Sequence, residues 1–549
     1  MPASSSAFRI ALLVAAVIAV SLAALLLRAL APASLERAVR RLESKPFWLG
    51  AAFTVLTGFL ALQLLNTFYP GYLDHAEANI ASVSWLVRNG APLYHPFDSA
   101  ARYSLLYGPT AYLPFVAALW LGGGATLSLK CVVLLANVLM IYFLWRTYRA
   151  LFDAWRALFM VSVVLLFMHF PLPNHYLLQV RADVLILSAL SVALFGATRS
   201  SGLAGPVALA LGTAFIVDAK ASAFIYVLPL FVIFLTRRGF RLSVVVGLAT
   251  LAAAGLPFLA PNVSLIQYLS WLRSATGHPS ASHDLISTLR TLPVLAAPMI
   301  LIVGPRPWRD PGIVAWFRNN RLVLLVLLPC IAVAVLASRR IGAGSHHILP
   351  FIPVVAFLYA ELYLASSRDF AKAKPWLVRY LYACLALVVV VRGVSGMREV
   401  AAPCFFWRDV LAAKDELRSV LSRYPTRRIA MGYGEAVERV TYLRPELVFA
   451  SNGLLVDEVA LSDMSMDGIS IPAATVAAMN DCATGVWLIP KDQQPFALPS
   501  SFADLYPELV GRKPLFSDAF RSAFSQHYAK KKPTLHFDVW ACEDISASK

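Results

Sequence analysis

The sequence predicts a polytopic α-helical membrane protein with about 12 spans, one re-entrant segment and a small extracytoplasmic α/β domain at its C-terminus. Three observations lead there. Of 549 residues, 59% are hydrophobic and only 14% are charged, whereas soluble domains carry about 25% charged residues. Apolar runs of near bilayer length, about 20 residues, recur from Ile10 to Val391. After Met397 the texture changes to short apolar runs alternating with polar helical stretches. A soluble enzyme is excluded.

The apolar runs fall near 9–27, 47–67, 126–145, 157–172, 184–198, 203–219, 222–236, 242–260, 285–303, 322–337, 348–366 and 380–396. Basic loops orient them, because cytoplasmic loops accumulate Lys and Arg. Arg37, Arg40, Arg41 and Lys45; Arg146, Arg149 and Arg156; Arg237, Arg238 and Arg241; Arg306, Arg309, Arg318 and Arg321; and Arg368, Lys372, Lys374 and Arg379 therefore read as cytoplasmic. Residues 68–105, 261–284, 338–347 and 397–549 then face outward. The first run lacks a basic leader and a small-residue cleavage site, so it reads as a retained helix rather than a signal peptide. The run from Tyr107 to Leu121 is short and broken by Pro109 and Pro114. It reads as re-entrant or interfacial, since irregular backbone at membrane depth is tolerated where it lines a protein cavity.

Three regions follow: an extra N-terminal helix with its basic loop (1–46), a membrane catalytic region (47–396) with a large outer loop (68–105), and the α/β tail (397–549). In the tail, RRIAMGYG, ELVFAS, TGVWLIP and LHFDVWA read as strands and Phe406 to Leu421 as a helix. The net charge of +17 lies wholly in the membrane part, because residues from Arg398 onward hold 17 basic and 19 acidic side chains. Loop charge of this kind argues against a nucleic-acid partner. No GxxxxGK[ST] stretch occurs, which argues against an ATP-driven pump. Gly432 and Gly434 lack the third glycine of a dinucleotide-binding turn, position 437 being Val437. Six scattered cysteines form no metal-binding pattern; Cys482 and Cys542 of the tail either pair or remain two buried thiols.

Chemistry points to the acids, since ionisable groups near a membrane are costly without a partner or a task. Asp74, Glu77, Asp98, Asp183, Asp218 and Asp284 fall at or near the outer face. The i, i+3 spacing of Asp74 and Glu77 predicts two carboxylates on one helix face, serving as a base and its orienter, as metal ligands, or as solvated acids of an amphipathic cap. Outer-face cations are Arg88, Arg102, Arg181, Lys220, Arg273, Arg339 and Arg340. Arg181 with Asp183 reads either as a snorkelling cation with a capping acid or as part of a site. Lys220, two residues from Asp218, reads as an internal ion pair or a phosphate ligand. Arg339, Arg340, His346 and His347 surround Gly342 and Gly344, in a loop able to approach a headgroup closely. The adjacent histidines are poor ligands for one metal, because consecutive side chains do not share a face.

The order of these elements resembles a family. An acidic first outer loop is followed by a helix ending in Gly90, Pro92, Leu93 and Tyr94, then by Tyr107, Gly108 and Pro109. Next come RADVLILSALSVALF, GTAFIVDAKASAFIYVLPLFVIFL and RIGAGSHHILPFIPVVAF. The series is similar to the GT-C glycosyltransferases, among them the dolichyl-phosphate-mannose protein mannosyltransferase-like and lipid A aminoarabinose transferase-like enzymes. The resemblance covers roughly residues 47–396. It implies a hexosyl or pentosyl transferase of the cell membrane, in a bacterium the inner membrane, that moves a sugar from a polyprenyl-phosphate donor to a glycan, lipid or protein hydroxyl on the outer face. It implies Asp74 as general base with Glu77 beside it, and Tyr107, Arg181, Lys220, Arg339, Arg340, His346 and His347 around the donor. It fixes no cofactor; a divalent cation is the one candidate, and it would lie at Asp74 and Glu77. The lipid A-type enzymes usually carry K-P-P-L where this chain reads Tyr107-Gly108-Pro109-Thr110, so the acceptor class does not carry over. The competing reading is a transporter or flippase of a lipid-linked sugar. Transporters place charges and broken helices at the bilayer midplane, often in repeated halves, and neither pattern stands out here.

Overall fold

The computed structural model describes residues 45–366, apart from 105, 123, 170–175, 200, 275–278, 281, 290, 304–309 and 341–343, and residues 405–543 apart from 500–513. The expected runs 9–27 and 380–396 lie outside the described residues.

Every other expected span has a helix. In chain order the helices are α1 (Lys45–Phe68), then α2 (His75–Arg88) and α3 (Leu113–Trp120), which belong to no expected span, followed by α4 (Ala125–Tyr148), α5 (Ala154–His169), α6 (Ala182–Thr198), α7 (Ala204–Ala219), α8 (Phe224–Arg238) and α9 (Phe240–Gly255). After them come α10 (Leu265–Ser274), α11 (Ser282–Leu289), α12 (Leu292–Val303), α13 (Pro311–Asn319), α14 (Arg321–Ala337) and α15 (Ile352–Ala365), the last entered through a 3-10 segment, Ser345–Phe351. By length and composition, five of the described helices can cross a membrane, or six when the pair α13 and α14, bent by 69°, counts as one span. Among the described residues the count falls short of the expected spans. α5, α6 and α7 are apolar but shorter, and the expected run 285–303 is divided between α11 and α12.

The segment after Tyr107 does not cross. Its 3-10 turn, Pro109–Ala111, and the eight residues of α3 fall well short of the ~20 residues a span needs. It docks on the C-terminal end of α7. The Gly108 amide donates to the Ala219 carbonyl at 2.9 Å, and the Thr110 amide donates to the Asp218 carboxylate at 3.0 Å. Gly108 is required there, because a Cβ would lie 1.5 Å from the Asp218 carbonyl oxygen.

The tail adds α16 (Trp407–Arg423), β1 (Ile429–Met431), α17 (Arg444–Phe449), α18 (Glu458–Met466), α19 (Ala473–Asn480), β2 (Val486–Pro490), α20 (Asp518–His527), β3 (Tyr528–Lys530) and β4 (Phe537–Cys542). ELVFAS, expected as a strand, is the helix α17; Pro445 at its first turn suits a helix start. The sheet order is β1-β2-β4-β3, with β1 parallel to β2 and the other pairs antiparallel. Both faces are covered. Val410, Leu417 and Val420 of α16 pack with Met431, Leu488 and Val539 on one side. Phe496, Phe516, Phe520 and Phe524 pack with Trp487 and Ile489 on the other. Two-sided burial explains why β2 is a continuous apolar run rather than an alternating one. Cys482 and Cys542 are disulfide-bonded, with Cα atoms 6.0 Å apart, tying the end of α19 to the end of β4.

This domain sits on the 68–105 loop. Arg102 forms a parallel bridge with Val456, its amide donating to Leu455 at 2.7 Å and its carbonyl accepting from Asp457 at 2.8 Å. Arg444 donates to the His75 carbonyl, and Trp85 of α2 packs against Phe449 of α17. α10 joins the same side, Trp271 donating to the His95 carbonyl and Ser274 to Asp467.

Candidate active site

Asp74 is not on the face of α2. It is the residue before it, in an extended conformation, and its Oδ1 accepts from the Glu77 amide at 2.8 Å. Asp caps a helix in this way because its short carboxylate reaches an amide that the first turn leaves unpaired. The other oxygen, Oδ2, is 2.7 Å from Arg181. Burial alone would raise the Asp74 pKa, but Arg181, then His75 and the Glu77 amide, outweigh it and hold the carboxyl below its usual value. Asp74 is therefore ionised at neutral pH.

Arg181 is the hub. It stands at the residue before α6, pairs with both Asp74 and Asp183, faces Tyr107 and lies 4.0 Å over the Tyr176 ring. Lys220, at the break between α7 and α8, faces Asp183 and Arg181; Asp218 is instead engaged by Thr110. Asp183, Lys220, Tyr226 and His346 line one narrow cavity. His346 packs on Tyr176 and on His347, and His347 Nδ1 is 3.0 Å from the Tyr226 hydroxyl. The structure thus gathers Asp74, Tyr107, Arg181, Lys220, His346 and His347 from five separate stretches of chain.

Three expected residues behave differently. Glu77 is fully buried, and both its oxygens accept backbone amides, from Leu73 at 2.6 Å and Val180 at 2.9 Å. Arg339 and Arg340 are exposed, Arg340 bridging to Ser280; the charges that face His346 and His347 are Lys220, Arg181 and Asp183. Nor does the acidic pair suit a divalent cation. All four oxygens of Asp74 and Glu77 are engaged by amides or by Arg181, and no group of three or more potential metal ligands occurs among the described residues.

Sequence reasoning missed two contributions. Lys130, inside α4, is wholly buried; a lone cation within an apolar run was the available signal. The C-terminal domain also reaches the site, since Asp463 of α18 faces Tyr107 and Tyr112, and no local pattern advertises that approach.

No protein-family model matches the chain, and no curated protein matches it in sequence. Solved structures do. ArnT from Cupriavidus metallidurans bound to undecaprenyl phosphate is 14% identical, with 90% of this chain and 98% of that one covered and a TM-score of 0.52. The same protein in the apo state is also 14% identical over the same coverage, with a TM-score of 0.51. ArnT belongs to the GT-C superfamily. At this identity the likeness is one of fold: the chain shares the overall fold of these two structures.

Proposed function

We propose that the protein is a membrane glycosyltransferase that moves a sugar from a polyprenyl-phosphate donor to an acceptor hydroxyl, with the reaction on the outer face of the membrane. The observation that carries the reading is the pairing of a carboxylate with two cations, Asp74 with Arg181 and Lys220 beside it, on a chain with the fold of a protein crystallised with undecaprenyl phosphate. The orientation rests on the five basic loops and on the disulfide in the C-terminal domain, a bond that persists in oxidising compartments.

In this reading Arg181 and Lys220 hold the donor phosphate, whose negative charge grows as the lipid phosphate leaves. The bond from the anomeric carbon to the phosphate oxygen breaks, a bond to the acceptor oxygen forms, and Asp74 takes the acceptor's proton. Arg181 serves both partners. A phosphate arriving at its guanidinium competes with Asp74 Oδ2, and the carboxylate so released is the one the acceptor hydroxyl meets. His346 lines the cavity beside Lys220 and faces the donor there, while His347 stands behind it against Tyr226, and Tyr107 lies by Arg181.

Purified protein in lipid, given radiolabelled polyprenyl-phosphate sugars and extracted acceptors, tests this. Label leaving the lipid for an acceptor supports transfer and identifies the sugar. Label that stays on the lipid but changes leaflet makes the protein a transporter instead.

A further inference from the structure

Glu77 and Lys130 are both fully buried, yet the mechanism above uses neither. Their contacts are specific. Glu77 Oε2 accepts the amide of Leu73, the residue before Asp74, and Oε1 accepts the amide of Val180, the residue before Arg181. One carboxylate therefore clasps the two backbone segments that carry the Asp74–Arg181 pair. Lys130 Nζ donates to the carbonyls of Asn66, Tyr69 and Gly71 at 2.9, 3.0 and 2.7 Å, which fixes the chain between the end of α1 and Asp74. The rings of Tyr69 and Tyr72 flank it at 5.0 and 5.7 Å. Lys130 also faces Glu77, and its charge offsets part of what burial costs the carboxylate.

We propose that Glu77 and Lys130 are positioning residues for the transfer reaction, a buried strut that sets the spacing of Asp74 and Arg181. Neither touches substrate. A carboxylate is suited to the task because its two oxygens accept two amides at once, and charge-assisted hydrogen bonds are short and directional. The ammonium satisfies the Asn66 carbonyl in the last turn of α1 and the Tyr69 and Gly71 carbonyls just beyond it. The inference rests on Asp74 and Arg181 being the reacting pair.

The test measures kcat per folded molecule, donor KM and Tm for the full chain in lipid. Glu77→Gln retains volume but presents an amide nitrogen where an acceptor is needed. Lys130→Met removes the donor to three carbonyls. Misplacement by about 1 Å costs on the order of 10²-fold in rate, so kcat should fall by about that much in each, with donor KM little changed. The double variant should be no slower than Lys130→Met, because residues acting as one unit are not additive. Glu77→Asp retains the charge opposite Lys130 but shortens its reach, and covers the case in which charge removal prevents folding; it too should be slow. Wild-type kcat in folded Glu77→Asp, or losses in the double variant that multiply, would overturn the strut. A Glu77→Gln loss deeper than that of Asp74→Asn would overturn it by making Glu77 the base. Full turnover in Asp74→Asn would instead sink the underlying catalytic reading, whatever the Glu77 variants do.

Discussion

Two Asp–Arg pairs in this molecule share one local design and differ in surroundings. Asp74 caps α2 and lies 2.7 Å from Arg181; Asp457 caps α18 and lies 2.8 Å from Arg444. Asp457 and Arg444 are saturated. Asp457 accepts the Val459 and Ala460 amides, Arg444 also reaches the Thr441 and His75 carbonyls, and their side chains are 0% and 1% exposed. Asp74 and Arg181 are 23% and 11% exposed, and Arg181 is shared among Asp74, Asp183 and Tyr107 with Lys220 nearby. A saturated, dry pair fixes a fold, whereas a contested, partly wet one can exchange a partner for a substrate. The Asp–Arg motif alone distinguishes nothing; the number of claims on the arginine does.

The comparison is tested most strongly at Asp74. Asp74→Asn keeps shape and loses the proton acceptor, so turnover should fall by about 10²–10⁴-fold with Tm and donor binding preserved, read by label transfer and by equilibrium binding. Wild-type turnover in the folded variant would make both pairs structural. Arg444→Met should act the other way. It leaves a buried uncompensated carboxylate, a cost of about 3–5 kcal/mol, visible as a loss of Tm or of folded protein rather than as a change in kcat per folded molecule.

Acid should loosen the loop between the pairs. His95 is buried, its Nε2 accepts the Tyr103 and Ser104 amides, and its Nδ1 donates to the Pro96 carbonyl. Burial lowers its pKa from 6.5 to about 4. Between those values the unfolded chain binds a proton that the folded chain does not, so the stabilisation is complete above pH 6.5 and is lost as pH falls toward 4, on the order of 3 kcal/mol. His95→Gln should flatten that part of the Tm-against-pH curve. Smaller still, Lys220→Ala should weaken donor binding by roughly ten- to a hundredfold, the loss of about 1.5–3 kcal/mol for a hydrogen bond to a charged group. Arg339→Ala, at an exposed side chain, should change it by less than Lys220→Ala does; equal losses would put Arg339 back at the phosphate.

What the sequence made legible follows from the range of each signal. Apolar runs and basic loops are local, and every expected span within the described residues has a helix. Asp74, Arg181 and Lys220 were visible because an ion beside an apolar run is costly wherever the chain goes next. Their grouping was not, because it depends on contacts such as Gly108 against α7 that bring residues 107, 181 and 220 together. The placing of Glu77 was not legible for a local reason. Spacing says that two acids are near one another, but not that one turns outward to cap the helix while the other turns inward to bind amides. ELVFAS has strand composition and is a helix, since Pro445 and the packing on α2 decide it.

The bridge between Arg102 and Val456 also constrains how the molecule is made. These partners are separated by more than three hundred residues, and synthesis proceeds at roughly 5–20 residues per second. The 68–105 loop therefore emerges on the order of half a minute before the segment that pairs with it. During that interval the Arg102 amide and the His75 carbonyl lack their partners Leu455 and Arg444. The early helices must hold their arrangement unaided, and the site is finished last, when the final domain reaches the same side and closes over it. Chains ending near Arg398 would thus carry Asp74 and Arg181 yet never leave this incomplete stage, a stall that limited proteolysis of the 68–105 loop would reveal.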